Sequence, residues 1–317
     1  MRLLRILVRR VLHAIPVLLL VSLGAFGLLY LIPGDPAYTL AGGENSTPES
    51  IAAVRKEFNL DDPFFQQFGR WLWNAIHFDF GRSLQNNLPV RTQILQRIPE
   101  TLSIATGAIL IATVVGLLLG IISGTRAGTV VDRLISAISV GAIAIPSFVL
   151  AILLVRVFAI ELEWLPAVSY VPLSESAVGW LKSIILPSIA LSALGVGGLS
   201  RQLRSSLVGT LRSDFVRTTW TLGGSRWQAV GKHALRNAAG PAVATLGASL
   251  AFLIGGTVII EQIFAINGVG SLMFSAATTA DLPLLRGLMI WFALVQLAAY
   301  LLTDIALVLL NPRIEVG

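Results

Sequence analysis

Apolar residues in this chain gather into long continuous runs instead of alternating with polar ones. Six runs approach or exceed the roughly 20 residues that a helix needs to cross a bilayer: 11–32, 101–123, 134–160, 184–204, 238–260 and 284–310. Only helices and closed barrels satisfy every backbone polar group in hydrocarbon. A barrel would show short strands of alternating polarity, so the pattern predicts an all-α polytopic membrane protein with six transmembrane helices. The fourth run ends on Arg201 and Arg204, which leaves its terminus open. The first follows Arg2, Arg5, Arg9 and Arg10 in the manner of a signal peptide. Its apolar stretch is too long for one, and Pro33-Gly34-Asp35-Pro36 is no small-residue cleavage site, so an uncleaved span is expected. Gly116, Gly120 and Gly124 recur every four residues on the second run, a spacing that lets backbones approach closely. Pro16, Pro146, Pro187 and Pro241 lie in or near spans, where neighbouring helices or water must satisfy the freed carbonyls. Bundle packing is favoured over gating for these glycines and prolines.

Three segments follow from this division: 1–32, an N-terminus and first span; 33–100, a polar helical insert; and 101–317, a five-helix core with a basic loop at about 205–237. Within the insert, Thr47-Pro48-Glu49 reads as an N-cap, a first-turn proline and a first-turn acid. Ile51, Val54 and Phe58 then share a helical face. Asp62-Pro63 begins a second helix, with Phe65, Phe68, Leu72 and Ile76 as its apolar face and Trp71 and Trp73 alongside. Such a helix suits a membrane interface. A docking platform for an external partner and a cap over the bundle are both consistent with it.

Composition sharpens the class. Of 317 residues, 55% are apolar and 13% charged, about half the charge of a soluble domain, and mean hydropathy is +0.80. There is no cysteine, hence no disulfide framework, thiol nucleophile or zinc–thiolate site. The net charge of +6 is unevenly placed. Segments 1–10, 124–133, 201–237 and 311–317 hold 14 Lys/Arg and three acids; segments 33–100, 161–183 and 261–286 hold eight Lys/Arg and 13 acids. The basic set belongs in the cytoplasm, so both termini are expected there, and the basicity calls for no nucleic acid.

The loop Arg201–Asn237 carries seven Lys/Arg and one acid. Leu203, Leu207, Leu211 and Phe215 repeat at i+4, so the fourth span is expected to continue as a helix beyond the bilayer. Thr218–Gly223 reads as a break, with Gly223-Gly224 free to take positive φ. Ser225 then caps a helix on which Trp227, Val230 and Ala234 share a face. Anionic lipid accounts for the charge of this helix–turn–helix, but not for Trp220 and Trp227 flanking a glycine turn; a protein partner does.

The string Asp214-Phe215-Val216-Arg217-Thr218-Thr219, followed by Gly223 and by Lys232-His233-Ala234-Leu235-Arg236-Asn237-Ala238, resembles the cytoplasmic loop of ABC-importer permeases of the dipeptide/oligopeptide/nickel branch. Leu31-Ile32-Pro33-Gly34-Asp35-Pro36, Leu60-Asp61-Asp62-Pro63, Phe78-Asp79-Phe80-Gly81, Glu163-Trp164-Leu165-Pro166, Ile185-Leu186-Pro187-Ser188, Glu261-Gln262-Ile263-Phe264 with Gly268-Val269-Gly270, and Asn311-Pro312-Arg313 are similar to further segments of that branch, in the same order. The resemblance implies the type I importer permease fold in a bacterial or archaeal cytoplasmic membrane. It also implies a second permease, two ATP-binding subunits and an extracytoplasmic substrate-binding protein as partners, with ATP and Mg confined to the partner subunits and no cofactor in this chain. Arg217, Thr218, Thr219, Trp220, Gly223 and Gly224 fall on or beside the motif that couples to an ATP-binding subunit. Trp220-Thr221-Leu222 departs from the family's usual Arg-Ala-Lys, which bears on which subunit docks there.

No G-x-x-x-x-G-K-[ST] phosphate loop and no H-E-x-x-H occur, and His13, His77 and His233 are dispersed. The chain is therefore expected to be non-catalytic. Of the ionisable residues within the spans, Arg156 is expected to snorkel or to line a pathway, and Asp304 is expected in a structural hydrogen bond or the pathway. A secondary transporter or channel would need an ion-coupling site and usually internal repeats. A scaffold that docks partners without transport is the third reading. Among importer substrates, peptides lead, with nickel complexes, glutathione and opines as alternatives.

Overall fold

The protein is described here from a computed structural model that covers residues 2–31, 35, 37–38, 41–43, 46–57, 59–168, 170–213 and 229–310. The described residues are helical apart from turns and an isolated bridge between Arg82 and Pro89. In chain order the helices are α1 (Arg2–Leu31), α2 (Pro48–Glu57), α3 (Phe64–Ile76), α4 (Val90–Thr125), α5 (Val130–Ala144), α6 (Ser147–Leu154), α7 (Ala177–Leu211), α8 (Leu235–Ile263), α9 (Val269–Thr278) and α10 (Leu282–Leu310). A π-helical turn, Val155–Glu161, extends α6, and another, Ala229–Ala234, leads into α8. Segments of α1, α4, α7 and α10 are each long and apolar enough to cross a bilayer. Two bent pairs bring the spans to six when each is taken as one: α5 with α6 and its π turn, bent by 103°, and the two halves of α8, bent by 42°. The first bend has a local cause. A proline disfavours the helical region for the residue before it, and Ile145 is extended (φ −81°, ψ 120°) ahead of Pro146.

The chain forms two compact units. One comprises Met1–Leu7, Pro99–Ser271 and Gln296–Gly317. Its centre is α7, buried along most of its length, including Pro187. The i+4 glycines of α4 meet an i+4 row on α7: a Cβ on Gly116, Gly120 or Gly124 would lie 3.0, 2.9 and 2.9 Å from the Cβ atoms of Leu199, Leu203 and Leu207. These glycines serve helix packing, as their spacing predicts. A similar approach joins α5 to α7, where a Cβ on Gly197 would come within 2.5 Å of the Ser139 carbonyl. Ile104, Leu186, Ile260, Phe264 and Ile266 belong to one of the unit's buried clusters.

The other unit comprises Val8–Ile98 and Leu272–Val295. Helix α2 starts as predicted: Ser50 N–H donates to Thr47 Oγ1 (3.2 Å), and Thr47 N–H returns a bond to Ser50 Oγ (2.9 Å). Arg55 on α2 pairs with Asp61 and Asp35; the Asp61 bond, followed by the Asp35 charge, raises its pKa above the ordinary arginine value. Helix α3 follows Asp62-Pro63, and its expected apolar face is divided: Phe68 and Leu72 are half-buried. Phe65 and Ile76 stay 78% and 63% exposed. Phe64, Phe68 and Trp71, an equally regular i, i+4, i+7 stripe, pack around Phe26 of α1. The phase is set by Gln67, whose amide donates to the Asp62 carbonyl (2.8 Å) and accepts from Tyr30 Oη (2.8 Å).

Candidate functional site

Arg217, Thr218, Thr219, Trp220, Gly223 and Gly224 lie outside the described residues. Their base does not. Helix α7 continues past Arg201 and Arg204 to Leu211, as the leucine repeat predicts. Leu199, Leu203 and Leu207 form one buried cluster with Ala234, Ala238 and Ala242, and Leu211 and Leu235 pack against it. Residues 214–228 are therefore bracketed by two chain ends joined in a common core.

A buried ion pair lies one turn from that base. Asp132 in the first turn of α5 is 2% exposed. It accepts from Arg204 Nε (2.5 Å) and Nη2 (2.7 Å), Ser123 Oγ (2.5 Å) and Gly128 N–H (2.8 Å). One carboxylate thus ties the end of α4, the start of α5 and α7. Arg204, which left the fourth span's end open in the sequence, is neutralised here, while Arg201 is exposed.

A second knot surrounds Glu261, fully buried near the end of α8. Its carboxylate accepts from Thr101 Oγ1 (2.6 Å) and Ser271 N–H (2.8 Å). Thr101 in turn accepts from Val269 N–H (2.8 Å), so the positive N-terminus of α9 is held against an anion. The glycines of this motif have a steric cause. A Cβ on Gly268 would sit 2.5 Å from the carboxylate, and one on Gly270 2.7 Å from Val258 Cα. In the sequence Glu261, Gly268 and Gly270 stand only as fragments of a motif.

Arg156 lies in the π turn, exposed and 3.0 Å from Glu161. Asp304 is buried in α10, 6% exposed. The structure does not bring these two together. Other ionisable residues also sit in span helices: Arg204 and Arg286 fall at the ends of the apolar runs 184–204 and 284–310, and Asp132 and Glu261 are included because the helices outrun the runs. Arg286 is 7% exposed. Its guanidinium lies 4.4 Å from the Phe26 ring centre, a contact worth roughly 0.5–2 kcal/mol, and Nη2 donates to the Phe26 carbonyl (3.2 Å). Among the described residues no three His, Asp or Glu side chains cluster as metal ligands would.

Residues 116–316 match the family described as the binding-protein-dependent transport system inner membrane component. Residues 3–105 match the N-terminal region of such membrane components. A Brucella abortus (strain 2308) protein named for a peptide transport system permease is 38% identical over 310 residues, 98% of each chain. The glutathione transport system permease protein GsiC of Escherichia coli (strain K12) is 34% identical over 308 residues, 97% of this chain and 98% of its own.

Proposed function

The chain belongs to the family of binding-protein-dependent transport system inner membrane components, and we propose that it is the peptide-class permease subunit of such an importer, driven by ATP-binding subunits through residues 205–237. The observation that carries the coupling assignment is the common core of Leu203, Leu207, Ala234 and Ala238, from which both arms of the loop depart. A force applied to 214–228 reaches α7 and α8 at once through that core. The ion pair of Asp132 and Arg204 passes it on to α4 and α5. Arg217, Thr218, Thr219, Trp220, Gly223 and Gly224 are the proposed contacts with an ATP-binding subunit. A second permease completes the path, and a binding protein delivers substrate to the face bearing 33–100. The charge asymmetry supports cytoplasmic termini. The chain performs no chemistry on its cargo; ATP and Mg act in partner subunits. Peptides fit the relatives' names, and glutathione is itself a tripeptide. Arg156, exposed beside Glu161, and Asp304, buried in α10, are assigned structural roles.

The test is Gly223→Val, and separately Thr218→Asp with Thr219→Asp. The assembled complex should then hydrolyse ATP without receptor-dependent uptake, or should lose its ATP-binding subunits, because the acids change the charge buried at a subunit contact. Normal peptide uptake by normally assembled complexes of both variants refutes the coupling assignment.

A further inference from the structure

We propose that a cavity of about 430 Å³ in the second unit is a subsite for the terminal carboxylate of a short peptide, with Arg286 as its cationic anchor. This rests on the peptide reading above. The cavity is lined by α2, α3, the loop Asp79–Asn87 and the start of α10, and its volume is in the range of small-molecule sites. Arg286 lines it while 7% exposed. No carboxylate among the described residues pairs with it, and its Nε has no hydrogen-bond partner. A buried guanidinium without a counter-ion is unfavourable, so its burial is explained by an anion that arrives from elsewhere. Phe26 covers the guanidinium, and the Phe26 carbonyl takes one Nη2 proton. The plane is thereby held for the parallel hydrogen bonds that carboxylates form with arginine.

The surroundings suit a zwitterion. Asp79, a second lining residue, uses Oδ1 to accept from Gly81 N–H (3.0 Å) and forms no ion pair with Arg286. The cavity thus presents one carboxylate and two guanidiniums, Arg82 and Arg286, with Asp79 leaving Arg286 unneutralised. Trp71 and Phe80 supply apolar wall, and Asn74 supplies an amide. The loop is fixed by Asp281, the N-cap of α10, which accepts from Ser83 Oγ and Leu84 N–H. At the next position of α10, a Cβ on Gly287 would lie 2.6 Å from Val90 Cγ1. The floor around Arg286 is therefore closely packed.

The experiment uses the assembled complex in lipid nanodiscs without the external binding protein. Equilibrium dialysis measures binding of radiolabelled trialanine and of its C-terminal amide. The free acid should bind with saturation and the amide about tenfold to a hundredfold more weakly, as expected for a lost charge-assisted bond. Arg286→Gln should abolish the difference, and Arg286→Lys should restore part of it. Asn74→Trp, an exposed substitution that fills the cavity and spares Arg286, should weaken both ligands in a complex of unchanged composition. Should Arg286→Gln fail to assemble, the acid–amide comparison in the native protein together with Asn74→Trp still decides. Equal affinity for acid and amide, or discrimination that survives Arg286→Gln, overturns the subsite. So does an Arg286→Gln complex that loses only docking of the binding protein, since the anion would then be the receptor's. Peptide uptake without acid preference removes the subsite alone. Acid-selective binding without peptide uptake removes the transport reading alone.

Discussion

Asp132→Asn removes one charge and one acceptor face from the base of the proposed coupling loop. The native carboxylate accepts four hydrogen bonds, two of them from Arg204. An asparagine amide can still accept through Oδ1, but its NH2 then faces a donor, and Arg204 loses its counter-ion. Breaking a fully buried pair costs about 3–5 kcal/mol. The Arg204 side chain is 35% exposed against 3% for Asp132, so water recovers part of that loss and about 2–3 kcal/mol is expected. For a chain of this size that corresponds to a fall of roughly 3–5 °C in the unfolding midpoint of the purified complex. The companion variants are Arg204→Met and the double Asp132→Asn/Arg204→Met. The double leaves no unpaired cation and keeps an acceptor for Ser123 and Gly128, so it should lie at least about 1 kcal/mol above the sum of the singles. Coupled uptake should fall with Asp132→Asn while the ATP-binding subunits stay attached. Additivity within about 0.5 kcal/mol, or an unchanged midpoint for Asp132→Asn, would show that the pair holds nothing together.

Gly120→Ala should destabilise the protein by about 1–2 kcal/mol despite alanine's better helix propensity, because its Cβ meets the Ser200 carbonyl at 3.0 Å; Gly24→Ala, with open space around it, should be neutral or stabilising in the same thermal melt. Thr101→Val strips a donor from Glu261 and an acceptor from Val269 N–H; about 1.5–3 kcal/mol should be lost, Thr101→Ser should retain most of it, and equal melts for the two variants would discount the knot. In intact cells an impermeant thiol reagent should modify Ser46→Cys and spare Ser225→Cys, in a chain with no other cysteine; the reverse pattern inverts the orientation. Deleting 44–80 should abolish receptor-dependent uptake and leave the ATP-binding subunits bound; an intact complex that still binds its receptor and transports normally rules out the docking platform.

Local periodicities were legible. The apolar runs, the Thr47 cap and the glycine row on α4 each depend on residues within a few turns of one another, and each stands where its pattern puts it. Which part of α3 packs on α1 was not legible, because Phe64 and Phe65 begin two stripes that share Phe68 or its neighbours. The choice between them lies with Phe26 and with Tyr30, whose hydroxyl binds Gln67 37 residues on. The ion pair of Asp132 and Arg204 spans 72 residues, and the bond from Thr101 to Glu261 spans 160; no spacing rule joins such partners. Glu261, Gly268 and Gly270 were visible as a string without a reason, and the reason is that the carboxylate fills the space a side chain would take. Arg286 looked like one basic residue in an acidic segment; only tertiary packing reveals that it is enclosed.

The facing rows on α4 and α7 also govern how the bundle can deform. At 1.5 Å per residue the 35 residues of α7 form a strut about 52 Å long. Three leucine teeth sit in three glycine notches along it. Axial slippage would have to lift every tooth at once and carry it to the next notch, about 6 Å away, so the pair resists shear and moves as one beam. The same three leucines also meet Ala234, just before α8, and Ala238 and Ala242 on it, so the row on α7 is gripped by α4 and by the start of α8 together. A displacement at the base shared by α7 and α8 would therefore be carried into the α4–α7 beam as a whole, without slip along its length.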